Sequence, residues 1–330
     1  GTLFPYTTLF RSITVLVSCL YGAMPYIDEG NRAYQKGDYE AAIRHYQESI
    51  DKNENPALGY FNMGNTYYQM QEVAKAIVCY RSSLFEAPDF ARAYLNLGVL
   101  YFNMEYMPGA ISVLQRALAL DPDNTQARLI LSSAYGRLEA YPQSVIMAEK
   151  ALERDTTQGD AYFLLSAVAR QLGDPDEAEY WLRRYPDSGP RVREKYQWLA
   201  ELAEEYRGAE EAVATYRRLI EINPDNRWAH YRLVKNLFDM GNHFVALENT
   251  SEALRRFPEF DAIALLGGNL AFEAGILRRA EDFYARAGKL GNAGGYVGLQ
   301  NLIKKHQSLG NEAAVNRINR IILSIQSSDG

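Results

Sequence analysis

Residues 57–90 read ALGYFNMGNTYYQMQEVAKAIVCYRSSLFEAPDF, and residues 91–124 read ARAYLNLGVLYFNMEYMPGAISVLQRALALDPDN. Laid one above the other, they place Tyr60 over Tyr94, Met63 over Leu97, Gly64 over Gly98, Ala76 over Ala110 and Pro88 over Pro122. A 34-residue period carried at once by small, large apolar and proline positions is a repeat. A length of 330 residues would ordinarily imply about two domains, whereas stacked repeats form one array whatever their number.

Extended in both directions, the phase does not slip. Rows begin at residues 23, 57, 91, 125, 159, 193, 227 and 261. The twentieth position of each row holds Ala42, Ala76, Ala110, Ser144, Ala178, Ala212, Ala246 and Ala280. The eighth holds Gly30, Gly64, Gly98, Ser132, Ser166, Ala200, Val234 and Gly268, all small but for Val234. Two fixed small sites let a pair of helices cross with their backbones close. The fourth position offers Tyr26, Tyr60, Tyr94, Tyr162 and Tyr196, and the seventh Met63, Leu97, Leu131, Leu165, Leu199 and Leu233. Three residues apart, these two sites share one helical face.

Proline recurs at the thirty-second position as Pro88, Pro122, Pro190, Pro224 and Pro258. It lacks an amide donor and disfavours helix in the residue before it, so the second helix of each row ends there. The Asp or Asn beyond it, as in DPDN at 121–124 and NPDN at 223–226, can cap the next helix. KGDY at 36–39 and the glycines Gly173, Gly241 and Gly275 supply the turn between a row's two helices.

These positions resemble the tetratricopeptide repeat (TPR) family, whose units are 34-residue helix–turn–helix pairs. The resemblance implies an all-α fold: an α-solenoid, or superhelix, of about eight such units over residues 23–290. A degenerate ninth repeat, or capping helix pair, follows at 291–330, where SLGNEAAVNRINRIILSI (308–325) forms an amphipathic closing helix. Row one departs from the pattern with Glu29 at an apolar site. Row five ends early at YPDSGP, residues 185–190, which predicts a bend within the array.

Composition narrows the function. The formal charge of -6 argues against a phosphate-binding surface, so no nucleic-acid partner is expected. Cys19 and Cys79 are the two cysteines, with no CxxC, and the four histidines lie in different rows, so no metal or cofactor is expected. Cys79 reads as a small buried apolar residue. GxSxG, HExxH, GxGxxG and P-loop patterns are absent; Ser49 to Lys52 spells SxxK without partner motifs, and Asn249-Thr250-Ser251 spells a glycosylation acceptor inside a predicted helix. The chain is expected not to be an enzyme. Glu201, Glu204, Glu205, Glu210 and Glu211 read as a solvated helix face.

The family binds protein or peptide segments in a concave groove lined by positions 2, 5, 9 and 12 of each first helix. That resemblance nominates Asn31 and Tyr34 in row one, and Leu58, Phe61, Asn65 and Tyr68 in row two. It nominates Arg92, Leu95, Val99 and Phe102 in row three, and Trp228, Tyr231, Lys235 and Phe238 in row seven. Asn31, Asn62 and Arg92 also match three positions of the clamp by which one subfamily grips a terminal carboxylate. Ile27 and Asn96 break the other two, so the full clamp is not expected. Packing between helices is the competing role for each of these aromatics.

Residues 2–12, TLFPYTTLFRS, resemble a translated sequencing adapter, which would place the natural sequence from Ile13 onward. ITVLVSC then reads as the end of a signal region. Leu16-Val17-Ser18-Cys19 resembles the lipobox of bacterial lipoproteins, with Cys19 as the lipidated residue; an ordinary cleavable signal or a buried segment are the alternatives. Residues 1–22 are thus set apart as a leader. The expectation is a scaffold of the bacterial cell envelope, facing the periplasm and touching the membrane only through Cys19. A cytoplasmic scaffold, or a repeat segment severed from a catalytic domain, stands against it.

Overall fold

The computed structural model describes residues 24–327, so Cys19 and the leader lie outside the described residues. Those residues form eighteen α-helices and no strand. They pair as the rows require: α1 (Pro25–Gln35) with α2 (Tyr39–Asp51), α3 (Pro56–Gln69) with α4 (Val73–Glu86), α5 (Ala91–Asn103) with α6 (Met107–Leu120), and α7 (Thr125–Arg137) with α8 (Tyr141–Arg154). Then follow α9 (Gly159–Gln171), α10 (Pro175–Arg184), α11 (Val192–Leu202), α12 (Ala209–Ile222), α13 (Arg227–Asp239), α14 (His243–Arg256), α15 (Asp261–Glu273) and α16 (Leu277–Lys289). The last two are α17 (Ala293–Ser308) and α18 (Glu312–Gln326). The chain divides after Val168, inside α9, into two compact units.

In the first unit the small positions do what their pattern implies. Ala42, Ala76 and Ala110 are fully buried, and Met63, Leu97 and Leu131 at the seventh position are at most 5% exposed. Glycine at the eighth position is explained by the twenty-fourth. A Cβ on Gly64 would stand 2.8 Å from the Tyr80 ring, and one on Gly30 would collide with Tyr46. The two sites trade volume along the chain, since dense interiors conserve total volume. Ser132 is matched by Ala148, and in the second unit the outlying Val234 is matched by Thr250, all four buried.

Asparagine closes the helix starts that DPDN and NPDN anticipate: Asn124 Oδ1 accepts from the Ala127 amide at 2.9 Å, and Asn226 Oδ1 from that of Ala229 at 3.1 Å. The turn after each first helix needs a left-handed residue. Gly37, Gly173, Gly241 and Gly275 supply it with φ of 73–78°. Rows two to four place Gln71, Glu105 and Glu139 in the same conformation, with φ of 62°, 60° and 57°. In row three the turn is secured by a Tyr106 amide bond to the Tyr101 carbonyl at 2.8 Å. The two rings meet edge to face 5.4 Å apart, the apolar contact that accompanies this helix ending.

The second unit departs from this regularity at the end of the fifth row and again in the sixth. Residues 185–191 form a compact loop in place of the last turn of α10. Tyr185 is buried against Gly189, where any Cβ would strike its ring, and its hydroxyl accepts from the Arg191 amide at 2.9 Å. Lys195, 5% exposed, fastens the loop by donating to the Tyr185 carbonyl at 2.7 Å and to Asp187 at 2.6 Å. That ammonium holds the Asp187 carboxyl below its usual range.

A π turn, Ala203–Arg207, then extends α11, and Gly208 at φ 98° ends it by donating to the Ala203 carbonyl. The wider turn absorbs one residue, so the left-handed glycine falls at the sixteenth position rather than the fifteenth while Ala212 stays in register. At the chain's far end α18 buries Ala314, Ile318, Ile322 and Ile325 on one face and closes the stack as expected. Arg317 of α18 grips the fully buried Glu281 carboxylate through two bonds of 2.8 and 2.7 Å.

Candidate functional site

In the first unit several nominated groove residues are spoken for by the repeat itself. Asn31 Oδ1 accepts from the Tyr46 hydroxyl at 2.9 Å and from Asn62 Nδ2 at 3.2 Å. One row on, Asn65 Oδ1 accepts from the Tyr80 hydroxyl and from Asn96 Nδ2, both at 2.8 Å. The tyrosine lying on the glycine is buried, and the asparagine beside that glycine serves as the acceptor for its hydroxyl. Burial pushes the ionisation of Tyr46 and Tyr80 far upward. The pattern recurs as Gly268-Asn269 with Tyr284, whose hydroxyl bonds Asn269 at 2.9 Å. Glycine, then asparagine, then tyrosine fifteen residues on was visible in the sequence and identifies these asparagines as structural acceptors.

Phe61, Asn65 and Leu95 are therefore interior residues, at 6%, 9% and 8% exposure, rather than open groove positions. Phe61 is wedged between Tyr80 and Phe90, with the Arg92 guanidinium 5.6 Å above its ring. Leu95 packs with Ala110 and Leu114. The physical reason is that the row period places the start of the next row over the fifth position, which periodicity within a single helix does not register. Arg92 stays exposed, and Tyr34, Asn62, Tyr68 and Phe102 are half-buried. Tyr34 meets Tyr39 at 5.5 Å, and burial pushes its phenol up to about 12. Tyr68 accepts from Asn103 at 3.4 Å, and Arg137 lies 4.8 Å over the Phe102 ring.

In the second unit the row-seven stripe divides. Trp228, 53% exposed, meets Tyr231 and Phe260 edge to face at 5.6 and 5.4 Å. Phe260, the last residue of row seven and the cap of α15, is itself buried and packs against both rings. Phe238 instead stacks on His243 at 4.3 Å, and Lys235 is exposed between the two groups.

Trp228 is among the residues that line a cleft of about 650 Å³. Gln197, Glu201 and Glu204 line it from α11 and the π turn, Glu205 follows them, and Arg170 and Arg232 face them from α9 and α13. Tyr216, Leu219 and Ala229 are buried lining residues. These glutamates are not a simply solvated face. Glu205 pairs with Arg170 at 2.7 Å, and Glu204 with Arg232 at 3.0 Å. Glu204 also accepts from the Tyr216 hydroxyl at 2.7 Å and from Asn236 at 3.3 Å, and together with burial it raises the Tyr216 ionisation. Glu201 is held loosely, 3.7 Å from Arg170 and 3.2 Å from the Gln197 amide.

Ser49 of the SxxK stretch is fully buried. Among the described residues no three His, Cys, Asp or Glu side chains converge as a metal site, and no helix is long and apolar enough to cross a membrane. Burial pushes the Cys79 thiol up to about 11, which keeps it protonated and unreactive. What the cleft offers is a shaped, charged surface beside one fixed aromatic ring.

No curated protein matches the chain. Among solved structures, MamA is 24% identical over 52% of this chain and 96% of its own, with a TM-score of 0.45. YrrB, described as a TPR protein with an unusual peptide-binding site, is 21% identical over 56% of this chain and 95% of its own, with a TM-score of 0.48. The pilF protein of Pseudomonas aeruginosa aligns over 65% of this chain and 96% of its own with a TM-score of 0.52, and at 16% identity the likeness is one of fold. Family models for the TPR repeat match residues 30–71 and 64–105, and models for the tetratricopeptide repeat match 91–124, 131–192 and 231–293. With those models spanning well over half of its length and its helices paired in that register, the chain belongs to the tetratricopeptide repeat family and is built as a protein-interaction scaffold.

Proposed function

We propose that the protein is a non-catalytic adaptor that holds a segment of a partner protein in the cleft beside Trp228. One observation carries this reading: a tryptophan 53% exposed to solvent in the lining of a cleft of about 650 Å³, its ring already packed against Tyr231 and Phe260. Large rigid aromatics of this kind dominate interface energetics, because they bring much apolar area at small entropic cost. Ion pairs across the cleft keep its walls in place before a partner arrives, which reduces the ordering needed on binding.

The adaptor works at the bacterial envelope, tethered through Cys19. Support for that address comes from Leu16-Val17-Ser18-Cys19 standing just ahead of the first repeat. Expressed with its upstream sequence in a Gram-negative host, the product should partition with membranes, and Cys19→Ala should release it; a wild-type product wholly in the cytosol would remove the address. The binding reading is tested by capture from envelope extract with wild type and Trp228→Ala, both first checked for helicity. A hot-spot aromatic costs about 2 kcal/mol on truncation, so captured partners should fall roughly thirtyfold in affinity. Undiminished capture by a folded Trp228→Ala variant would refute it.

A further inference from the structure

Among the described residues that line the cleft, Glu201 is the carboxylate held most loosely. At this ninth position, rows one, two and eight carry Asn31, Asn65 and Asn269, each used up by the hydroxyl of its own tyrosine. In row six the π turn brings Glu204 to the Tyr216 hydroxyl instead, at 2.7 Å. Glu201 is thereby relieved of the role its position has elsewhere. Its side chain is 41% exposed on the cleft wall, with one contact of 3.7 Å to Arg170 and one amide bond of 3.2 Å.

We propose that Glu201 and the face of Trp228 together take a lysine or arginine side chain from an extended segment of the partner protein. This rests on the cleft being the contact site. The lining sets Glu201, Glu204 and Glu205 against Arg170 and Arg232, and the closer pairings, Arg170 with Glu205 at 2.7 Å and Arg232 with Glu204 at 3.0 Å, leave Glu201 only a 3.7 Å contact to Arg170, so the surplus negative charge is carried mainly by Glu201. An apolar occupant would bury that carboxylate without a partner, which is costly, and an anionic one would repel it. A cation satisfies it and also gains from the indole face, the best of the aromatic surfaces for a positive charge. Trp228 contributes its ring already immobilised by two edge-to-face neighbours at 5.6 and 5.4 Å. The chain uses the same chemistry internally, with Arg92 over Phe61 and Arg137 over Phe102.

The test follows the indole N–H signals of the full chain, which has three tryptophans, during titration with N-acetyl-arginine amide and, separately, N-acetyl-glutamate amide at low salt. Trp228→Phe identifies the Trp228 signal by its loss. The expected result is a saturable arginine-induced shift of that signal alone, with no response to glutamate. Glu201→Gln, a near-isosteric change at an exposed site, should weaken the arginine response about threefold or more, and Glu201→Lys should abolish it. The assignment is overturned if glutamate binds more tightly than arginine, or if Glu201→Gln leaves the arginine response unchanged. Either outcome leaves the cleft itself standing so long as partner capture depends on Trp228; loss of that dependence instead defeats the contact site.

Discussion

The second and sixth rows keep one register and solve the same packing problem differently. In the second, Gly64 lies under the Tyr80 ring and Asn65, its neighbour, accepts the buried hydroxyl. In the sixth, Ala200 occupies the glycine site, the acceptor is Glu204 on a π turn, and the ninth position is Glu201 on the wall of a cleft. The regular row spends its polar side chains on its own interior and on the next row. The irregular one moves that duty three residues along the chain, and so leaves a charged group facing solvent beside Trp228. A repeat protein can thus acquire a site by relocating one hydrogen bond, with the small twentieth positions, Ala76 and Ala212, untouched and fully buried.

The heaviest blow to the regular side of this contrast is Ala110→Leu. Ala110 is fully buried where two helices cross, so overpacking should cost about 1–3 kcal/mol in chemical denaturation and spread to adjoining rows. On the irregular side, Glu204→Ala strands the Tyr216 hydroxyl and frees Arg232, and a loss of about 2 kcal/mol is expected. Glu204→Gln keeps an acceptor for the phenol and should lose less than half of that. Equal losses for the two variants would mean that the phenol contact is not what Glu204 provides. Tyr80→Phe sharpens the comparison from the other end. It should cost only about 1 kcal/mol, since Asn65 retains its bond from Asn96. The smallest effect is a gain: Glu105→Gly relieves a side chain held at φ 60° and should stabilise by about 0.5 kcal/mol, a shift readable in the urea midpoint.

The sequence made the period, the helix pairs and the closing helix legible, because each rests on residue size at a fixed spacing. Position eight was legible as small; its cause, a ring from position twenty-four lying on it, belongs to tertiary packing. The turns of rows two to four were harder to read, since Gln71, Glu105 and Glu139 hold a conformation that glycine usually marks. The π turn announces itself only through Arg207 and Gly208 standing one place late. The spacing of Trp228 and Tyr231 puts them on one helix face, but Phe260, whose ring meets both, stands at the far end of the row, beyond the reach of periodicity within one helix. The asparagines were open to misreading because a groove position and an acceptor for a buried phenol call for the same side chain.

The central claim, that partners meet the chain beside Trp228, is tested most directly by site-specific photocrosslinking. Benzoylphenylalanine would replace Trp228 in one variant and Phe85, which is 85% exposed on α4, in another, and both would be irradiated in envelope extract. Both positions are open to solvent, so exposure alone does not favour either. The account predicts a discrete covalent adduct from position 228 and none of comparable yield from position 85. An adduct from position 85 with none from position 228 would contradict it and move the interaction surface to the first unit.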